Sequence, residues 1–347
     1  MATAKKLPSG SYRVRVYDNE TKKYKSFTAD TKKAAELAAQ EWLNGRTKKK
    51  SYNLNITVGE AVSEYIASKE NILSPSSIRG YEVIRKNALG GIEDIKLSRL
   101  TEKELQKWVN ANSESYAPKT IKSQFGLITA ALRQNKINLD FGDILLPRIE
   151  KREAVIPDEK QISQILHIVE GTSVELPVTI AVTLGLRQSE IAALKWSDYN
   201  GQTLKIHAAK VPNKENRYVI KNTTKSQAST REIEVGELLK VRLDRAERTS
   251  EYISPMLPSS VLRKFSHLCE KNGLPHFTMH GQRHGNASLM LAQGVPDKYA
   301  MQRLGQSSPN MIKDIYQHLY DSKQKQVAET VSDAFSDIYA MKYDTNE

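Results

Sequence analysis

The stretch TLGLRQSEIAALKWSDY, residues 183–199, places a single arginine where an apolar run meets a new amphipathic helix. Arg187 follows Gly185-Leu186, and the pattern predicts that it stands at the start of that helix. Glu190 lies one turn further on and can hold the Arg187 guanidinium in place. A guanidinium suits phosphate because its planar fork matches phosphate geometry and stays charged. The alternative interpretation is an Arg–Glu surface pair that caps the helix.

A second stretch, MHGQRH at residues 279–284, carries a histidine and an arginine three positions apart. His280 and Arg283 share one helix face at this spacing, and His280 can move protons near neutral pH. His280 and His284 also have the spacing of zinc-protease histidines, but that motif requires glutamate where this chain has Gly281. Arg283 between the two histidines would oppose a cation. We therefore expect no metal at this site.

The third stretch, LGQSSPNMIKDIYQHLY at residues 304–320, contains two tyrosines one helical turn apart. Tyr316 and Tyr320 are both candidate nucleophiles, and a tyrosine buried in a helix is the ordinary interpretation of each. Gln306 lies in the same stretch. Its amide can donate a hydrogen bond but cannot carry charge or shuttle protons.

These three stretches, in this order, resemble the catalytic set of the tyrosine recombinases, also called phage integrases, over residues 155–320. That family cuts and rejoins DNA through a tyrosine. The resemblance implies that Arg187 and Arg283 bind the scissile phosphate, that His280 assists proton transfer, and that Tyr316 forms a 3′-phosphotyrosine. The distance of Tyr316 from LGQSS and the Gln-His-Leu that follows it favour it over Tyr320. Bond energy is kept in the phosphotyrosine, so the resemblance implies no cofactor, neither ATP nor a metal.

Two further positions follow from the resemblance. The family carries a lysine on a strand-to-strand turn, where it protonates the leaving 5′ oxygen. In KNTTKSQASTREIEV, residues 221–235, the order Lys-Ser followed by Arg-Glu-Ile favours Lys225 over Lys221. At the position of Gln306 the family usually has histidine, sometimes tryptophan, which hydrogen-bonds the scissile phosphate. We expect glutamine at this position to affect the rate of the reaction more than the type of reaction.

Composition is consistent with a DNA partner. The 347 residues carry a net charge of +12. Residues 1–50 hold 13 Lys and Arg against 5 Asp and Glu, a net charge of +8, which indicates a polyanion or a solubilising tail. Cys269 is the one cysteine, which suits a reducing compartment. With no long apolar run and no apolar segment typical of a secretion signal, we expect a cytoplasmic, nucleoid-associated protein of a bacterial host without membrane contact.

The basic N-terminus has the pattern of a small sheet and a helix. In SYRVRVY, residues 11–17, Tyr12, Val14 and Val16 alternate with Arg13 and Arg15, which predicts a half-buried strand with a basic outer face. A returning strand and a helix capped by Asp30 or Thr31 follow. The module resembles the arm-type DNA-binding domain of many integrases, with Arg13 and Arg15 toward DNA; the alternative is a module that binds another protein.

Residues 56–137 predict four helices. Capping boxes open two of them, at Thr57 and Thr101, and Pro75 and Pro118 open the others. The last helix has a basic outer face with Lys119 and Lys122, which we expect to contact DNA. This unit resembles the core-binding domain of the family, chiefly because it stands just before the stretch with Arg187.

The sequence thus predicts an α+β fold that is mainly α with small β-sheets. We expect an arm-binding sheet-plus-helix domain at residues 1–50, a four-helix core-binding domain at 56–140 and a mixed α/β catalytic domain at 155–347. Within the last, TLKIHA, RYVIKN and REIEV over 203–235 predict a three-stranded sheet. A C-terminal helix with Val327, Val331, Phe335 and Ile338 on one face packs either within the chain or, as the family resemblance implies, on a neighbouring protomer.

The resemblance implies a site-specific recombinase that integrates or excises a mobile element through a Holliday junction. The implied partners are double-stranded DNA with core and arm-type att sites, three further copies of the chain in a homotetramer, and an excisionase or a host DNA-bending protein. Two other functions stay open at this stage. One is a type IB topoisomerase-like nicking-closing enzyme, and the other is a catalytically impaired DNA-binding protein, toward which Gln306 points.

Overall fold

The computed structural model describes residues 3–18, 22–46, 54–137, 139–150, 155–222, 230–306 and 328–339. The chain folds into two compact units, the first formed by residues 1–68 and 83–148 and the second by residues 69–82 and 149–347. Helices dominate and the sheets are small, so the predicted α+β fold is confirmed. Among the described residues, no helix is both long and apolar enough to cross a membrane.

The N-terminal part of the first unit is a three-stranded antiparallel sheet followed by a helix. Its elements are β1 (Lys5–Lys6), β2 (Tyr12–Asp18), β3 (Lys23–Ala29) and α1 (Lys32–Arg46). Val14 and Val16 are buried against α1, whereas Arg15 between them is exposed. The predicted alternation is therefore confirmed. The Thr31 hydroxyl accepts a hydrogen bond from the amide of Ala34 at 3.2 Å and caps α1.

Four helices follow, and each begins where a local signal predicts it. They are α2 (Val58–Lys69), α3 (Pro75–Asn87), α4 (Glu102–Ser113) and α5 (Pro118–Gln134). Thr57 and Glu60 form the capping box before α2, with the Thr57 amide 2.8 Å from the Glu60 carboxylate. Thr101 and Glu104 form the second box, before α4. Pro118 opens α5 because its missing N–H has no helical partner at that position.

The helices of the second unit surround one apolar helix. They are α6 (Glu159–Ile168), α7 (Glu175–Leu184), α8 (Gln188–Ile191), α9 (Glu237–Arg245), α10 (Pro258–Lys271), α11 (Met279–Ala292) and α12 (Asp297–Leu304). Val178, Ile180 and Leu184 of α7 are fully buried and belong to one core with Phe265 and Phe277. A helix that is apolar on nearly all faces is typical of the centre of a domain.

The predicted three-stranded sheet is wrong. Four strands form two separate antiparallel pairs, β4 (Thr203–Ile206) with β7 (Arg231–Glu234), and β5 (Ala208–Pro212) with β6 (Tyr218–Asn222). The run TLKIHA is divided at His207, whose Nε2 lies 2.9 Å from the Asp198 carboxylate, and the chain then changes partner. β5 was missed because Ala208, Ala209 and Pro212 are weak strand formers, so only pairing with β6 makes this segment extended.

Residues 328–339 form a further helix, α13. Val331, Phe335 and Ile338, three of the four residues of the predicted apolar face, are 48%, 68% and 60% exposed. Val327, the fourth, lies outside the described residues. The described part of the chain therefore leaves this face largely uncovered.

Candidate active site

Arg187 lies at a junction of three helices. It follows Gly185, which ends α7 in a left-handed conformation with φ 63°, and it precedes α8. A Cβ at Gly185 would lie 2.5 Å from the Leu304 side chain of α12 and 2.7 Å from the Asn286 side chain of α11. Both the backbone conformation and the close approach therefore require glycine here. Gly185 allows α7, α11 and α12 to meet beside Arg187.

The helix predicted after Arg187 is only one turn long. α8 ends at Ile191, and after Ala192 the amides of Ala193 and Leu194 bond to carbonyls three residues back instead of four. Such tighter bonding closes a helix. The short helix contributes little dipole, so Arg187 depends on side-chain and carbonyl partners for its position. Its side chain is 42% exposed and is open to a ligand.

Glu190 is the carboxylate around which the site is arranged. Its side chain is only 3% exposed, and its two oxygens accept four hydrogen bonds. Oε1 accepts from Arg187 Nη1 at 2.8 Å and Arg231 Nη1 at 3.4 Å; Oε2 accepts from the Arg187 amide and Arg231 Nη2, each at 3.0 Å. Burial by itself would raise the pKa of Glu190, but the bond to Arg231, the charges of both arginines and the Arg187 amide outweigh it and lower the pKa.

Arg283 is almost completely enclosed, at 1% exposure. Its Nη1 donates to the Gly185 carbonyl and its Nη2 to the Leu304 carbonyl, both at 2.7 Å. These are carbonyls at the carboxyl ends of α7 and α12, where a positive charge is favoured. Burial lowers the pKa of Arg283 to about 10, with the charge of Arg187 as the next cause. Arg283 stays charged at neutral pH, and both of these bonds go to backbone carbonyls, not to a carboxylate.

The carboxyl end of α12 binds three arginines through three consecutive carbonyls. The carbonyl of Arg303 accepts from Arg231 Nε at 2.9 Å, that of Leu304 accepts from Arg283, and that of Gly305 accepts from Arg187 Nη2 at 3.2 Å. Gly305 has φ 61°, and this left-handed cap turns the carbonyls away from the helix. We call residues 303–305 the carbonyl collar.

His280 stands in the first turn of α11, which Thr278 caps through a 2.9 Å bond from the Gly281 amide. Its ring keeps solvent exposure and lies edge-to-face with the His284 ring, at 4.7 Å between centroids. Partial burial lowers the pKa of His280, and the positive charges of Arg283 and Arg187 lower it further. His280 is therefore mainly neutral at pH 7, the form that can accept a proton.

Gln306 follows the carbonyl collar directly. The backbone amide of Gln306 donates a hydrogen bond to the Met301 carbonyl at 2.9 Å, which fixes the backbone at the end of α12. Its side chain is partly buried. The described residues of the predicted site thus come together: Arg187, Glu190, His280, Arg283 and Gln306 are contributed by α8, α11 and the end of α12.

Two family models match the chain. The model of the phage integrase family matches residues 157–323, and that of the phage integrase N-terminal SAM-like domain matches residues 57–113. Together the two ranges cover more than half of the chain. The chain belongs to the phage integrase family. It is a tyrosine site-specific recombinase, as the sequence predicted.

Two relatives show how far the similarity extends. A tyrosine recombinase XerC-like protein of Caldanaerobacter subterraneus subsp. tengcongensis is 22% identical over 90% of this recombinase and 92% of the relative. The ICEBs1 integrase of Bacillus subtilis (strain 168) is 28% identical over 45% of this chain and 47% of its own. The first similarity therefore runs nearly end to end, and the second spans about half of each protein.

Two solved structures share the fold. The Tn1549 transposon integrase in complex with transposon right end DNA has a TM-score of 0.65 at 18% identity, covering 80% of this recombinase and 100% of that chain. A lambda integrase tetramer bound to a Holliday junction has a TM-score of 0.57 at 20% identity, covering 88% of this recombinase and 96% of that chain.

Two predicted site residues of the recombinase lie outside the described residues. Lys225 falls in the connection between β6 and β7, and Tyr316, like its rival Tyr320, falls between α12 and α13. Lys221, the rival of Lys225, is described: it belongs to β6 and pairs with Ala209. The assignment of the lysine and of the tyrosine stays a prediction.

The predicted DNA-binding residues lie in the first unit of the recombinase, apart from the arginine site in the second. Arg15 is exposed on β2, and Arg13 on the same strand is partly buried. Lys119 and Lys122 are exposed in the first turns of α5, whose apolar face is buried. These positions suit DNA contacts, and their role stays a prediction.

Sequence reasoning missed one residue of the site. Arg231, the first residue of β7, bonds to both oxygens of Glu190 although 41 positions separate them. The sequence pattern uses Arg231 only as the first residue of the Arg-Glu-Ile that favours Lys225 over Lys221. A contact over such a separation leaves no local signal, so one sequence alone could not have identified it.

Proposed function

We propose that this recombinase integrates or excises a mobile genetic element by cutting and rejoining double-stranded DNA at att sites. The relatives that support a mobile element are the ICEBs1 integrase and the Tn1549 transposon integrase. The observation that carries the chemistry is the convergence of Arg187 and Arg283 beside a single carboxylate, Glu190.

The charge balance of the site favours a bound phosphate. Arg187, Arg283 and Arg231 bring three positive charges, and Glu190 supplies one negative charge. A phosphodiester is negatively charged, and charge gathers on its non-bridging oxygens during transfer. Donors that are already fixed in place do not need to reorganise as that charge develops, so the site is suited to the transition state.

In the reaction that we propose, the Tyr316 oxygen attacks the scissile phosphorus. A phosphotyrosine bond forms and the bond to the 5′ oxygen breaks. His280, mainly neutral because its pKa is lowered, accepts the phenol proton, and Lys225 gives a proton to the departing 5′ oxygen. Gln306 donates a neutral hydrogen bond to the phosphate. Attack by a new 5′ hydroxyl reverses these steps and completes the strand exchange.

The assembly that we propose is a homotetramer that acts through a Holliday junction, as the lambda integrase tetramer is bound to one. In it, residues 1–50 bind arm-type sites, while residues 56–140 and 155–347 bind the core site. An excisionase or a host DNA-bending protein sets the direction of recombination. The protein acts on the nucleoid in the cytoplasm of a bacterial host.

A nicked suicide substrate tests the chemistry directly, because loss of the short leaving strand traps the covalent protein–DNA adduct. The wild-type chain should form the adduct. Tyr316→Phe should bind the core site with unchanged affinity and form none, and Tyr320→Phe should form it. Adduct formation by Tyr316→Phe but not by Tyr320→Phe would assign the nucleophile to Tyr320. A wild-type chain that binds DNA without any adduct would be an impaired DNA-binding protein.

A further inference from the structure

Arg231 is a buried arginine that the reaction above does not use. Its side chain is 6% exposed, and it begins β7, six residues after Lys225. All three nitrogens of its guanidinium donate hydrogen bonds within the site: Nε to the Arg303 carbonyl, and Nη1 and Nη2 to Glu190. A guanidinium that is enclosed and engaged in this way is poorly placed to bind phosphate, so any effect on the reaction must pass through its partners.

The first partner is Glu190, and through it Arg187. Glu190 accepts two of its four hydrogen bonds from Arg231 and two from Arg187. The charged groups that face Glu190 are Arg187 beside its own helix, Arg231 from β7 and Arg283 from α11. Without Arg231, a buried carboxylate would keep only half of its hydrogen bonds, and burial would then favour its protonated form. A neutral Glu190 would no longer fix the Arg187 guanidinium.

The second partner is the carbonyl collar. Arg231 binds the carbonyl of Arg303, next to the carbonyls that receive Arg283 and Arg187. Gln306 follows the collar, and the segment with Tyr316 follows Gln306. The Arg231 guanidinium thus connects three parts of the site: strand β7, the Glu190 carboxylate that holds Arg187, and the end of α12.

We propose that Arg231 is a positioning residue, which holds Arg187 through Glu190, and the end of α12 through its Arg303 carbonyl, in the arrangement that the scissile phosphate requires. This inference rests on the proposed function. The fork of arginine is needed because a lysine ammonium is a single point of donation and cannot bond to a carbonyl and to both carboxylate oxygens in this geometry.

Arg242 provides the matched control for a purely structural effect. It is nearly as buried, at 9% side-chain exposure, and binds Glu175 at 3.3 Å, the Thr179 hydroxyl at 2.6 Å and the Leu166 carbonyl at 3.0 Å. None of these partners belongs to the arginine site. Arg242→Met should therefore lower the melting temperature without changing how the cleavage rate depends on pH.

The experiment measures the single-turnover rate of adduct formation by the full-length chain from about pH 5 to about pH 9. At pH 7 Arg231→Met should be about tenfold to a hundredfold slower than wild type, since small misplacements of catalytic groups have effects of this size. The acid limb of its profile of rate against pH should move to higher pH, because Glu190 would now protonate more readily. Core-site affinity should change by less than about threefold, because the Arg231 side chain is buried in the protein.

Two further variants separate charge from geometry. Arg231→Lys keeps a positive charge beside Glu190, so its acid limb should stay near that of wild type while its rate at pH 7 remains reduced. In Glu190→Gln the titrating carboxylate is absent, so adding Arg231→Met should no longer move the acid limb, and the combined loss should be smaller than the product of the single losses.

Several results would overturn the inference. A wild-type rate and profile in Arg231→Met would do so, as would a uniform loss at every pH that matches the loss in Arg242→Met. If Arg231→Met does not fold, Arg231→Lys is compared with Arg242→Met: a rate at or above that of Arg242→Met overturns the inference, and a rate at least tenfold lower, roughly, supports it. The proposed function fails separately, when the wild-type chain itself forms no adduct.

Discussion

The arginines of this recombinase are held in two contrasting ways: those of the site in the second unit bond to fixed protein partners, and Arg15 on the sheet of the first is displayed to solvent. Arg283 is 1% exposed and bonds to two helix ends, and Arg187 is tied to Glu190 and Gly305. Arg15 on β2 is exposed to solvent. Charges that bond to fixed partners are oriented in advance, whereas an exposed charge on the surface is screened by salt. The first arrangement is suited to rate, and the second to affinity.

The largest effect should come from removing an arginine of the site, which fixed partners hold in place. Loss of one fixed donor to a developing charge typically reduces the rate about a hundredfold to a thousandfold. Arg187→Ala and Arg283→Ala should each show this loss of adduct formation while core-site affinity falls far less. Arg283→Ala should also lower the melting temperature more than Arg187→Ala, because Arg283 joins the ends of α7 and α12.

Arg245 is a suitable control, since it lies in the same unit and is 47% exposed. Arg245→Ala should leave both the rate and the affinity near wild type. If affinity and rate fall by equal factors in Arg187→Ala and Arg283→Ala, these residues only bind DNA, and the contrast between the two regions would disappear.

A smaller effect is expected at Gln306, which tests whether a neutral donor is enough beside the arginines of the site. Gln306→Ala should slow adduct formation about tenfold to a hundredfold, the size expected for a hydrogen bond to a charged group. Gln306→His should be at least as fast as wild type, because histidine also donates. Gln302→Ala, at an exposed glutamine one turn earlier in α12, serves as the control. An unchanged rate in Gln306→Ala would show that this side chain has no role at the phosphate.

Local signals in the sequence predicted most of the helices and most of the site. The capping box at Thr101 and Glu104 opens α4 as expected, since both of its bonds join residues three positions apart. The same holds within the site: Arg187 and Glu190 are three positions apart and form an ion pair. His280 and Arg283 share the first turn of α11 by the same spacing. Contacts of this kind depend only on the local chain conformation.

The remaining features depend on contacts between distant segments. The bonds from Arg283 to Gly185 and to Leu304 span 98 and 21 positions, and the pairing of Arg231 with Glu190 spans 41. The partner of β5 is likewise decided by tertiary structure, because its residues have little strand preference of their own. Residue types and spacing therefore predicted which residues would form the site, but not the carbonyl collar that holds the described ones.

The smallest effect, and the one that tests the displayed charges, concerns Arg13 and Arg15. Each contact between a side chain and a phosphate that is lost should reduce the salt slope of DNA binding by about 0.9. Arg15→Ala should therefore weaken binding to arm DNA mainly at low salt. Arg13→Ala should have the same direction of effect but is a less specific test, because Arg13 is partly buried. Neither change should slow cleavage of an isolated core site, since β2 contributes nothing to the arginine site.

Lys33→Ala is the matched control, because Lys33 is an exposed cation on α1, which packs on the face of the sheet opposite Arg15. Its loss removes one charge from the same module but not from the displayed face. A reduced slope in Arg15→Ala together with an unchanged slope in Lys33→Ala would locate DNA on the sheet. Equal slopes in wild type and Arg15→Ala would mean that the sheet does not bind phosphate, and the basic N-terminus would then act as a solubilising segment or bind another protein.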